Sequence, residues 1–90
     1  MSQALENNPT PMAYFERGMA YMELRMPEKA IEDFTAALEK EPDMRGALFR
    51  RGILLVKQGQ KKAGVNDIKR AAELGNLQAK KWLKKNRFSF

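Results

Sequence analysis

Two acidic clusters, Glu32-Asp33 and Glu39-Lys40-Glu41, and the stretch KQGQKKAG at 57–64 are the places where this chain could do chemistry. Paired carboxylates share general acid and base work when their surroundings pull their proton affinities apart. Glycine ahead of lysine can cradle a phosphate. Neither pattern closes. At this spacing the acids read as an exposed helix face, and KQGQKKAG lacks both the spacing of a phosphate loop and the strand that must precede it. The chain has no histidine and no cysteine, which removes most acid–base triads, thiol nucleophiles and common transition-metal ligand sets. The expectation is a protein that is not an enzyme and uses no cofactor and no metal.

The remaining chemistry is charge. The net charge of +6 is divided unevenly: residues 1–44 hold four basic and nine acidic side chains, net −5, and residues 45–90 hold thirteen basic and two acidic, net +11. Such asymmetry fits an acidic partner for the C-terminal half, contact between opposite halves of two copies, or an uneven solvated surface. Ninety residues make one small domain. Such a domain buries only about 60% of the surface its unfolded chain exposes. The opening MSQALENNPT lacks the basic and apolar regions of a leader, and no apolar run approaches the roughly 20 residues of a membrane span. A cytoplasmic protein with no membrane contact is expected.

Helical periodicity runs through the chain and strand-like alternation is absent, so the predicted class is all-α with five helices. Thr10-Pro11 offers an N-cap and a first-turn proline, followed by apolar positions Tyr14, Phe15, Gly18, Met19, Tyr21 and Met22. Pro27 opens a second helix with Ala30, Ile31, Phe34, Ala37 and Leu38 inward, ending at Pro42. Asp43 is the expected cap of a third helix, which ends at Gly59. A fourth spans about 61–74, Gly75-Asn76 supplies a left-handed stop and a new cap, and LQAKKWLKKN forms a fifth before the tail RFSF.

Laying residues 11–44 over 45–78 without a gap gives seven identities, among them Arg17/Arg51, Gly18/Gly52, Asp33/Asp67 and Ala37/Ala71. A gapless 34-residue period of helix–turn–helix resembles the tetratricopeptide repeat (TPR) family. Tyr14, Gly18, Tyr21, Ala30, Phe34, Ala37 and Pro42 stand where that family places its large, small and aromatic residues. The second unit supplies Leu48, Gly52, Leu55, Gly64, Ile68, Ala71 and Asn76, departing with glycine at 64 and asparagine at 76. Trp82 falls 34 residues after Leu48, where the family puts a large apolar residue, and the lysines around it suit a solvating cap. AAELGNLQAKKWL is also similar to the turn of the related Sel-like repeats. The resemblance implies antiparallel helix hairpins stacked into a short right-handed superhelix. It implies a flexible segment 1–9 and a single domain 10–88, made of repeat one 11–44, repeat two 45–76 and a capping helix 77–87, with a tail 88–90. Small residues at Gly18, Ala30 and Ala37 then allow helices to approach closely.

The first helix carries more apolar residues than its own hairpin needs. Met12, Phe15, Met19 and Met22 form a second stripe at i, i+3, i+7 and i+10, and Phe49, Ile53 and Val56 repeat it in the third helix. By resemblance these residues line the family's concave groove, with Glu23, Gly46, Lys57 and Leu83 at neighbouring places. The implied function is a non-catalytic, adaptor- or chaperone-like module that binds a protein or peptide segment with apolar side chains. Two alternatives are packing of the stripe around Leu5 and homo-oligomerisation through the same surface. The groove lacks the polar residues with which related domains clamp acidic chaperone tails, Arg50 being isolated. Nucleic acid is the remaining class: Lys57, Lys61, Lys62, Lys69, Arg70 and Arg87 could meet phosphates, with Trp82 or Phe88 stacking. A core role for Trp82 in the cap argues against it.

Overall fold

The computed structural model describes residues 10–88; the segment 1–9 and Ser89-Phe90 of the tail, with the expectations placed on them, lie outside the described residues. Those residues form five helices and no strand: α1 Pro11–Glu23, α2 Pro27–Lys40, α3 Arg45–Lys57, α4 Lys61–Glu73 and α5 Leu77–Lys85. Backbone contacts divide the chain into two compact units, Met1–Pro42 and Asp43–Phe90.

In the first unit α1 packs on α2. Thr10 Oγ1 accepts from the Ala13 amide at 3.0 Å, and Pro11 sits at the first helical position, where a missing N–H costs nothing. The connection 24–26 is three residues long, so the two helices run antiparallel. Arg25 turns the chain in the left-handed region, φ 60°. The Met26 amide donates to the Tyr21 carbonyl at 2.9 Å and the Arg25 amide to the Met22 carbonyl at 3.0 Å, the paired bonds of a Schellman stop. The buried side is carried by α2, with Ala30, Phe34 and Ala37 fully inaccessible.

The second unit repeats this hairpin and adds a helix. The bounds of α3 lie 34 residues beyond those of α1, and α4 starts 34 beyond α2. Gly59, at φ 88°, takes the place of Arg25, and the Gln60 amide closes on the Leu55 carbonyl at 2.8 Å. Gly75, at φ 98°, ends α4, and Asn76 caps α5 by accepting from the Ala79 amide at 2.8 Å. Both of these features match the sequence-based expectation. Ile68 and Leu83 form the largest fully buried side chains of this unit.

Three local expectations differ. Asp43 does not cap α3; Met44 holds the cap position with no side-chain bond, and the Asp43 carboxylate instead accepts from Arg70 Nη2 at 2.8 Å. Asp33, read as exposed, is 4% exposed. Leu83, placed on the groove side, is fully buried, and Trp82 beside it is only half-buried. One step along a helix turns a side chain through about 100°, so Leu83 fills the core and Trp82 lies across its edge.

Candidate functional site

The most constrained polar geometry occurs twice. Arg17 Nε donates to Asp33 Oδ2 at 2.7 Å and its Nη2 to Oδ1 at 2.8 Å. Thirty-four residues on, Arg51 and Asp67 make the same fork at 2.6 and 2.9 Å. Each pair ties the first helix of a hairpin to the second, and two parallel charge-assisted bonds fix register as well as distance. Hydrogen bonding to Asp33 holds the Arg17 guanidinium above its usual range, against the opposing pull of burial. Arg17 also lies 5.6 Å from the centre of the Tyr21 ring, with the Lys29 ammonium 5.9 Å from it. Both pairs are visible in the sequence as identities at the 34-residue period. Their partnership is not, because nothing in the spacing of 17 and 33 says that two antiparallel helices face each other there.

Close approach beside these pairs depends on missing side chains. A Cβ on Gly18 would lie 2.7 Å from Phe34 Cε1. In the second hairpin two glycines meet: a Cβ on Gly52 would lie 2.7 Å from the Gly64 carbonyl oxygen, and one on Gly64 2.6 Å from Val56 Cγ2 and 2.8 Å from the Val56 nitrogen. The departure from the family pattern at 64 therefore has a steric cause, since the alanine methyl has nowhere to go.

Of the residues expected on the docking stripe, Met12 is 54% exposed, while Phe15, Met19 and Met22 are half-buried. α1 fully buries only Ala13 and Gly18, and its larger apolar side chains keep part of their surface accessible. Phe15 is shared: its ring lies 5.7 Å from that of Phe34, tilted by 47°. In the second unit Phe49, Ile53 and Val56 are half-buried. Val56 turns partly toward the hairpin crossing, where it bounds the space at Gly64. Among the repeat positions, Gly52 and Ala71 are buried, Tyr14 and Tyr21 half-buried and Pro42 exposed.

A second surface lies wholly within the C-terminal unit. Lys61, Lys62, Val65, Asn66, Lys69 and Phe88 line an open cleft of about 470 Å³. Phe88 is brought there by Arg87, at φ 64°, with the Phe88 amide bonded to the Leu83 carbonyl at 2.8 Å. Its ring stacks on Trp82 at 5.8 Å and 8°, and the Lys61 ammonium is 5.5 Å from its centre. Among the described residues no cluster of three or more acidic, histidine or cysteine side chains could hold a metal ion. No described helix is long and apolar enough to cross a membrane.

An all-α chain of helix hairpins with a 34-residue period and a recurring Arg–Asp tie is a helical-repeat protein. Residues 11–44 match the family model of the tetratricopeptide repeat. No curated protein matches it. Repeats of this family generally mediate protein–protein interaction and are typically non-catalytic.

Proposed function

We infer that residues 10–88 are a non-catalytic interaction module, adaptor- or chaperone-like and cytoplasmic, in which the first helix of each hairpin docks an apolar or amphipathic segment of a partner protein. The observation that supports this reading is the partly exposed stripe of α1, where Met12 is exposed and Phe15, Met19 and Met22 keep part of their surface accessible. Phe49, Ile53 and Val56 supply the matching stripe on α3. Methionine has a flexible, polarisable side chain that adapts to partners of differing shape. Fluorescence anisotropy against a panel of amphipathic peptides and their polar scrambles tests it. Binding of an amphipathic member, weakened tenfold or more by Met12→Glu with Met19→Glu and unchanged by Lys84→Glu, is expected; a panel with no such binder removes the reading.

A second reading rests on the charge division: residues 1–42 carry a net −4 and residues 43–90 a net +10. Opposite units of two copies attract, and the apolar stripe would then be covered by a second chain. Light scattering decides between them. A dimer that Phe49→Glu splits assigns the face to self-association, and a folded monomer leaves it to a partner.

A further inference from the structure

We propose that the cleft between α4 and the end of α5 binds single-stranded nucleic acid, with its lysines on the phosphates and a base against the Trp82–Phe88 pair. The first support is how charges are used in residues 43–90. Their three acidic side chains are all engaged by arginine: Asp67 by Arg51, and Asp43 and Glu73 by Arg70. Arg45 is committed to the Leu74 carbonyl. None of the lysines of α4 and α5 has an acidic partner among the described residues, and Lys61, Lys62, Lys81, Lys84 and Lys85 are exposed. Unpaired ammonium groups on one unit, with no carboxylate lining the cleft, are the electrostatic footprint of a polyanion site.

The second support is aromatic. The sequence argued against nucleic acid because Trp82 was expected to fill the cap's core. Leu83 fills it instead, and Trp82 is left to stack with Phe88 beside the lysines. A flat pair beside a basic cleft is what an unpaired base can use. An acidic peptide meets its carboxylates at lysine alone and has no use for the flat rings. The Lys61 ammonium now near Phe88 makes a single exposed cation–π contact, weaker than a stacked base, and once displaced it is free to meet a phosphate. Asn66 offers the cleft's uncharged polar group, an amide able both to donate to and accept from a base edge.

The full chain carries its own probe, since Trp82 is its only tryptophan. Titration with a 15-nucleotide oligouridylate is expected to quench Trp82, with a log–log salt slope of about −2 if three lysines are engaged. Lys62→Gln with Lys69→Gln should reduce that slope by about 1.4. Phe88→Leu should weaken binding about tenfold, and its far-ultraviolet circular dichroism confirms folding; the lysine variants provide an independent check. Absence of binding at 50 mM salt would overturn the proposal. Equal affinity for polyglutamate of the same charge would make this an acidic-protein surface and overturn it too. Equal affinity for duplex, or binding indifferent to Phe88, would reduce it to undirected charge and likewise reject the site.

Discussion

The ring of Phe34 occupies the place where Gly18 has no side chain: a Cβ there would come within 2.7 Å of Cε1 and 2.9 Å of Cδ1. Gly64, 34 residues after Ala30, faces a different obstacle, for backbone atoms of Gly52 and Val56 stand in the way. The distinction predicts two kinds of response to the same substitution. Gly18→Ala and Gly64→Ala should each destabilise by about 1–3 kcal/mol through overpacking, although alanine is intrinsically the better helix former by about 1 kcal/mol. Adding Phe34→Leu should recover part of the Gly18→Ala loss, because a side chain can be trimmed. No single side-chain change should restore Gly64→Ala. Urea unfolding of the three variants measures this.

The repeated fork makes a prediction about coupling. Asp33 is held by Arg17 with its own side chain almost inaccessible, while Arg17 keeps about a third of its surface in water. Arg17→Met, which strands the carboxylate, should cost about 2–3 kcal/mol, less than for a fully buried pair. In a double-mutant cycle with Asp33→Ala, the pair should show about 1–2 kcal/mol of coupling. The Arg17 affinity for its proton is raised on folding, so its contribution is complete below the unfolded-state pKa and is lost only as pH rises through the folded one. Stability from this guanidinium should therefore be flat across neutral pH and fall only under strongly alkaline conditions.

Arg25 and Gly59 make the same left-handed turn with different residues, at φ 60° and 88°. A non-glycine residue in that region costs about 1–2 kcal/mol, offset in part by the larger unfolded-state entropy of glycine. Arg25→Gly should stabilise by about 0.5–1 kcal/mol. Gly59→Ala should destabilise by about 1 kcal/mol, through backbone conformation alone, because no atom lies within 4 Å of a Cβ built there. Thermal melts of the two variants should shift in opposite directions.

Leu83 and Trp82 exchange the roles that their sizes suggest. Leu83→Ala should cost about 2–5 kcal/mol, the range for emptying a closed site. Trp82→Ala should cost less despite removing more atoms, because its side chain is only half-buried and packs on Phe88 at the edge of the unit. The reverse order in denaturant unfolding would return Trp82 to the core.

Much of this protein was legible before its structure. Helical periodicity, the Thr10-Pro11 and Asn76 starts and the Gly59 and Gly75 stops are local signals, written in residues at most a few positions apart, and the helices follow them. The 34-residue period is equally local in character, since each hairpin repeats its own spacing, and it led to the family that residues 11–44 match. What tertiary structure alone decided are relationships between residues distant in sequence. Arg17 with Asp33, Gly52 with Gly64 and Asp43 with Arg70 become neighbours only when antiparallel helices set them side by side. The choice between Trp82 and Leu83 for the core depended on the rotation of α5 against α4. A pattern with lysine on nearly every side of a short helix leaves that rotation open, and packing settles it by burying the side chain that the space beneath can close around.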